Sequence, residues 1–255
     1  MPNTQNNTPN FFTLIIGTEI LNRRRADAHF DFVSKALADK GYTLSGSFII
    51  EDDPALIIQT LQFITSQPNA ILFSFGGIGS TPDDYTRQCV AEVLGDGQLY
   101  LHAEAKDIIE TKLGENAYPH AIKMAELPHG VSLLDNPINK MPAFSLGEKY
   151  FFVPGFPEMS HPMITKVIDT LLPQSRKHYR HTLVAHCKES ELIEVMEQMP
   201  KDVEFSSLPK LKASNTWEVS ISVASYDASL ASTAFKMYTD NLETKNIPYN
   251  LTEQM

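Results

Sequence analysis

Apolar positions fall into two patterns along the chain, short dense runs in the first two thirds and strict alternation near the end. FFTLII (11–16) closing on Gly17 predicts a buried parallel strand, and LSGSFII (44–50) and AILFSF (70–75), the latter running into a glycine loop, predict the second and third strands. Between them apolar residues recur every three or four positions. Phe30, Val33, Leu37 and Ala38 predict a helix over about 27–40, stopped by Gly41. Leu56, Ile57, Leu61 and Ile64 predict another, with Asp53 as its N-cap and Pro54 at its first position. Further helices are expected over 83–94, 103–113 and 158–172, and a hairpin turning at Gly147. Strand–helix alternation of this kind predicts a three-layer α/β domain with a mostly parallel sheet over 12–172.

From Tyr179 the rhythm changes. RHTLVAH, VEFSSLP and WEVSISVAS read as half-buried strands, the last alternating at Val219, Ile221 and Val223, with Trp217 assigned to the core. Two helical segments and the strand NIPYNL complete a βαββαβ order over 179–250, a small ferredoxin-like α+β domain. Polar residues 1–11 are expected as a disordered tail.

Composition narrows the chemistry. Thirty-one acids against 21 bases leave a formal charge of -10 in 255 residues, which argues against nucleic-acid and membrane partners. Cys89 and Cys187 are isolated, with neither a disulfide framework nor zinc spacing. No apolar run has the length of a membrane span and the start lacks a signal-peptide pattern, so the cytoplasm is the expected location.

Ligands of open α/β sheets sit at the carboxyl ends of strands. Three loops there carry candidate chemistry. In SFGGIGSTPDDYT (74–86), Gly76, Gly77 and Gly79 allow tight bends and present N–H groups to an anion. Thr81, Pro82 and Asp84 of that loop also satisfy a helix capping box, which competes with a ligand role. In EDD (51–53), Asp53 reads as the cap, whereas Glu51 and Asp52 show no structural task in the sequence and suit either a Mg²⁺ site or an ordinary solvated loop. In 17–30, Glu19 and Asp27 flank Arg23, Arg24 and Arg25, whose guanidinium forks suit phosphate; a solvated charged face is the alternative. His29 stands as either a ligand or a structural histidine.

GTEIL (17–21), Asp27, EDD (51–53), GGIGSTPDDYT (76–86), MAELPHG (124–130), LDNP (134–137) and VPGFPEM (153–159) resemble, in order and spacing, the molybdopterin-binding domain family of molybdenum-cofactor biosynthesis. Within it they are most similar to the N-terminal region of competence/damage-inducible protein A. The resemblance implies a phosphate-bearing nucleotide-like or pterin ligand, contacted by Gly17, Glu19, Arg23, Asp27, Gly76, Gly77, Gly79, Ser80, Thr81, Pro154, Gly155 and Glu158. It implies catalytic and metal-holding roles for Asp52 and Asp84, with Mg²⁺, Mn²⁺ or Co²⁺, and a homodimer.

The activity expected first is metal-dependent hydrolysis of a nucleoside-diphosphate linkage, as in an ADP-ribose pyrophosphatase. The alternatives are a molybdopterin-binding or adenylyl-transferring protein, and a non-catalytic nucleotide-binding protein. The chain departs from the family at three places. Arg23 stands where a glycine is usual, His29 where an asparagine is usual, and Phe156 where a small aliphatic is usual.

Overall fold

The structure, a computed structural model, describes residues 8–252. Most of the expected tail, residues 1–7, therefore lies outside the described residues. Strand β1 already begins at Asn10, ahead of the expected boundary. The chain divides into two compact units, residues 1–175 and 176–255.

The first unit runs β1 (Asn10–Ile16), α1 (Thr18–Leu21), α2 (His29–Asp39), β2 (Leu44–Ile50), α3 (Pro54–Thr65), β3 (Ala70–Phe75) and α4 (Thr86–Leu94). It continues with β4 (Tyr100–Leu101), α5 (Ala103–Leu113), β5 (Glu126–Leu127), β6 (Ser132–Leu134), β7 (Ala143–Leu146), β8 (Tyr150–Val153) and α6 (Pro157–Leu171). Six of these strands form one sheet in the order β2-β1-β3-β8-β7-β6. Its first four strands are mutually parallel, β7 runs against them, and β6, antiparallel to β7, runs with them, so the sheet is mixed with a parallel core. Strands β1, β3 and β8 are buried on both faces, whereas β2, at the edge, buries only Ile50. Phe11, Leu14, Leu72, Phe73, Phe75 and Phe152 are fully buried, and Phe11 stacks on Phe73 with centroids 6.0 Å apart.

Register places the site. Ile16 pairs with Ile50, Ile15 with Phe75, and Phe75 with Val153, so four adjacent parallel strands end nearly level. The loops after Ile50, Ile16, Phe75 and Val153 therefore leave one edge side by side, in that spatial order.

Local signals act mostly as expected. Asp53 accepts a 2.8 Å bond from Leu56 N, and Pro54 opens α3. The helix expected from residue 83 starts instead at Thr86, without a side-chain cap. Thr81 and Asp84 close on each other in a separate turn, with Asp84 N donating to Thr81 O, so the apparent capping box caps no helix.

The second unit comprises β9 (Tyr179–Ala185), a 3₁₀ turn leading into α7 (Ile193–Glu197), β10 (Glu204–Leu211), β11 (Trp217–Ser225), α8 (Ala228–Thr244) and β12 (Tyr249–Thr252). Its antiparallel sheet has the order β10-β11-β9-β12, that of a ferredoxin-like fold. Leu183, Val219, Ile221, Val223 and the fully buried Tyr238 make its core. Trp217 does not join them; it is 37% exposed at the start of β11.

Candidate functional site

The glycine loop is bent by backbone conformations that few other residues adopt. Gly76 has φ +98° and Gly77 φ +67°; a Cβ on Gly76 would run into the Ile16 carbonyl oxygen, and one on Gly77 into Thr86 Oγ1. Gly76 N donates to Val153 O (3.0 Å), and Thr86 N and Oγ1 reach back to Gly77 O (2.9 Å) and Gly76 O (3.0 Å). Past this anchored bend, the N–H groups of Gly77, Ile78, Gly79 and Ser80 have no hydrogen-bond partner among the described residues. Consecutive free amides on a tight bend form a concavity suited to an anion.

The far end of the loop is stitched shut. Asp84 Oδ2 accepts from Thr81 N (2.7 Å) and stands 2.5 Å from Thr81 Oγ1, while Asp83 Oδ1 lies 2.6 Å from the same hydroxyl. That hydroxyl's hydrogen bond holds the Asp83 carboxyl below the usual range. From behind, buried Arg87 donates to Gly79 O (2.8 Å), Glu126 O (2.9 Å) and Lys123 O. Burial lowers its pKa, opposed by Asp84 and Glu126. Sequence reasoning missed Arg87, because one arginine on an amphipathic helix looks like any other surface charge.

Beside this loop, Asp52 Oδ2 accepts from Thr18 N and Thr18 Oγ1, both at 2.8 Å, and Asp52 N donates to Thr18 Oγ1 at 3.1 Å. The reciprocal clamp ties α1 to the end of β2. Glycine 155 closes the row: a Cβ there would lie 3.3 Å from Gly76 Cα.

Together these loops bound a cleft of about 480 Å³. Among the expected residues, Glu19, Asp52, Gly76, Gly77, Gly79, Ser80, Thr81, Asp84, Pro154 and Gly155 line it, although they come from four strand ends. Gly17, Arg23, Asp27 and Glu158 do not. Gly17 N donates to Ile50 O (3.0 Å) at the base of α1. Asp27 accepts from His29 N (2.9 Å) and Phe30 N (3.1 Å), which commits its carboxylate to the first turn of α2, one residue ahead of the N-cap Ala28. Glu158 sits in the first turn of α6. Arg23 has φ +63°, which explains a glycine preference at this position: the chain needs a left-handed residue there.

Arg25 takes the place expected for Arg23 and lines the cleft, along with Phe156, Met124, Met141 and Met159. Larger grooves of about 550 and 600 Å³ lie against β6, but none of the expected site residues lines either of them.

His29 is buried under the cleft rather than in it. Its ring stacks on Phe75 at 4.2 Å, with Nε2 3.3 Å from Gly155 O and Nδ1 3.2 Å from His161 Nε2. Burial pushes its pKa down to about 4, against a smaller upward pull from the Gly155 carbonyl.

Comparison with known proteins bears on what the cleft holds. The family model described as "Probable molybdopterin binding domain" matches residues 12–174. The chain is 26% identical over 206 residues to a CinA-like protein of Sulfurihydrogenibium sp. (strain YO3AOP1), covering 77% of this chain and 51% of that protein. It is 29% identical over 196 residues to a CinA-like protein of Leptospira biflexa, covering 71% of this chain and 46% of that one. Thus the chain spans about half the length of these curated relatives. The crystal structure of CinA from Thermoplasma acidophilum, described as of unknown function, superposes with a TM-score of 0.58 at 26% identity, covering 65% of this chain and 99% of that one.

These findings overturn the expected metal-dependent pyrophosphatase-like hydrolase and favour its molybdopterin alternative. The matched family is one of molybdopterin binding. Among the described residues no three His, Cys, Asp or Glu side chains converge as a metal-holding group, and Asp52 and Asp84 each commit one carboxylate oxygen to a threonine. No helix among the described residues is long and apolar enough to cross a membrane.

Proposed function

Since the chain belongs to the molybdopterin-binding domain family, whose model matches residues 12–174, we propose that its cleft binds molybdopterin, a phosphorylated pterin, in the service of molybdenum-cofactor biosynthesis. The observation that carries this proposal is the run of four unpartnered amides, Gly77 to Ser80, at the floor of the cleft. In a chain of charge -10, backbone dipoles offer an anion what side chains on average do not. The tight bends at Gly76 and Gly77 hold these amides fixed before any ligand arrives, so little ordering remains to oppose binding. Met124, Met141, Met159 and Phe156 supply an apolar wall for the pterin ring, and methionine adapts its shape to such a ring.

Anaerobic titration of molybdopterin, followed by quenching of pterin fluorescence, tests the proposal. Saturable 1:1 binding is expected. Gly79→Ala should weaken it by about tenfold or more, because the new methyl would sit 2.6 Å from Asp84 Oδ2 and disturb the amide floor. Absence of saturable binding by the wild-type chain would overturn the proposal.

A further inference from the structure

The charged groups lining the cleft are unbalanced for an anionic ligand. Glu19, Asp52, Asp83 and Asp84 contribute four carboxylates, and Arg25 is the one Lys or Arg among the lining residues described. Its position follows from the left-handed turn at Arg23. That turn folds the chain back so that the amides of Arg24 and Arg25 both reach Glu19 O, at 2.9 and 3.0 Å. The Arg25 guanidinium then rests between two weak partners. Nη1 is 3.8 Å from Glu19 Oε1, and Cζ is 5.4 Å from the centroid of the Phe156 ring. An ion pair this long and partly exposed stabilises little and is easily exchanged. Phe156, 57% exposed, presents ring surface that nothing in the core requires.

We infer that Arg25 and Phe156 form a two-part clamp for a planar ring bearing a phosphate. On binding, Arg25 leaves Glu19 and takes the phosphate held by the glycine-loop amides, while the ligand ring packs on Phe156. Geometry favours the exchange. A guanidinium binds a phosphate through two parallel hydrogen bonds, a better match than its present contact with Glu19. Without Arg25 the ligand's charge meets four carboxylates and no cation. The inference rests on the molybdopterin proposal for the ring, but its anion half stands apart from it.

Two probes separate the halves, molybdopterin and inorganic pyrophosphate, each titrated into the full chain and into Arg25→Ala, Arg25→Lys, Glu19→Gln and Phe156→Val. Arg25→Ala should weaken both probes by about 10- to 100-fold, and Arg25→Lys should restore only part of the loss. Glu19→Gln should tighten both about two- to fivefold by removing a competing carboxylate. Phe156→Val should weaken molybdopterin about two- to tenfold and leave pyrophosphate unchanged.

Equal molybdopterin affinity in wild type and Arg25→Ala would overturn the clamp while leaving the proposed function standing. Arg25-dependent binding of pyrophosphate without binding of molybdopterin would overturn the proposed function and support the anion half. Failure of the wild-type chain to bind either probe would overturn both.

Discussion

His29 and His161, 132 positions apart in the chain, face each other with Nδ1 of the first 3.2 Å from Nε2 of the second. Phe75 stacks on one ring and Phe32 on the other, and the Gly155 carbonyl takes the remaining nitrogen of His29. One neutral arrangement satisfies every contact: His29 donates from Nε2 to Gly155 and accepts at Nδ1 from His161. The pair thereby fastens α2 and α6 to the loop that closes the cleft.

Acid should therefore loosen the fold. The His29 pKa falls from 6.5 to about 4 because its ring is buried, and burial lowers that of His161 as well, while Asp27 and Glu158 pull the other way. Between these values the unfolded chain takes up a proton that the folded chain refuses. Stability is therefore full above pH 6.5 and declines as pH drops towards 4, by about 3 kcal/mol for His29 alone. Urea denaturation across pH 4–7 should show this decline in the wild type and a flatter profile in His29→Asn. Matching profiles would exclude His29 as the source.

Arg23→Gly should stabilise the protein without changing ligand affinity. The residue holds φ +63°, a conformation that costs a non-glycine residue about 1–2 kcal/mol, and its side chain does not line the cleft. Part of that gain is offset by the greater freedom of glycine in the unfolded chain. A net rise of about 0.5–1 kcal/mol in chemical denaturation is expected. A tenfold loss of molybdopterin binding would instead place Arg23 at the ligand.

Gly76→Ala should be severe. Its methyl group would meet the Ile16 carbonyl oxygen, a backbone atom inside β1 that cannot swing aside, at φ +98°. Strain and overpacking together predict a loss of about 3 kcal/mol or more, visible as a lower denaturation midpoint. A loss below about 0.5 kcal/mol would mean that the loop relaxes freely.

Arg87→Met keeps the buried bulk and removes the donors that hold Gly79, Lys123 and Glu126. Destabilisation of about 2–4 kcal/mol is expected, together with weaker molybdopterin binding, since the amide floor loses its support. Unchanged binding in a destabilised variant would confine Arg87 to a structural role.

Much of this protein is determined locally and is legible in the sequence. Dense apolar runs can be buried only between two layers, so FFTLII and AILFSF predict the buried parallel strands that are found, whereas LSGSFII forms the edge strand with only Ile50 buried. Strand alternation does the same for β11. Asp53 with Pro54 marks the start of α3, and Gly76 and Gly77 mark a bend that other residues would strain. Each rests on the chemistry of a few adjacent residues.

Tertiary structure decided the rest, because the deciding partners are remote. Thr81, Pro82 and Asp84 satisfy the pattern of a helix cap, yet the loop is held by Arg87, Val153 of β8 and Thr86, and α4 begins only at Thr86. The Asp27 carboxylate, expected at the ligand, accepts from the first-turn amides of α2 and does not line the cleft. The arginine triplet offered three equivalent guanidinium groups. The left-handed turn at Arg23 and the packing of Phe156 chose Arg25, a choice made by backbone direction that residue type alone does not encode.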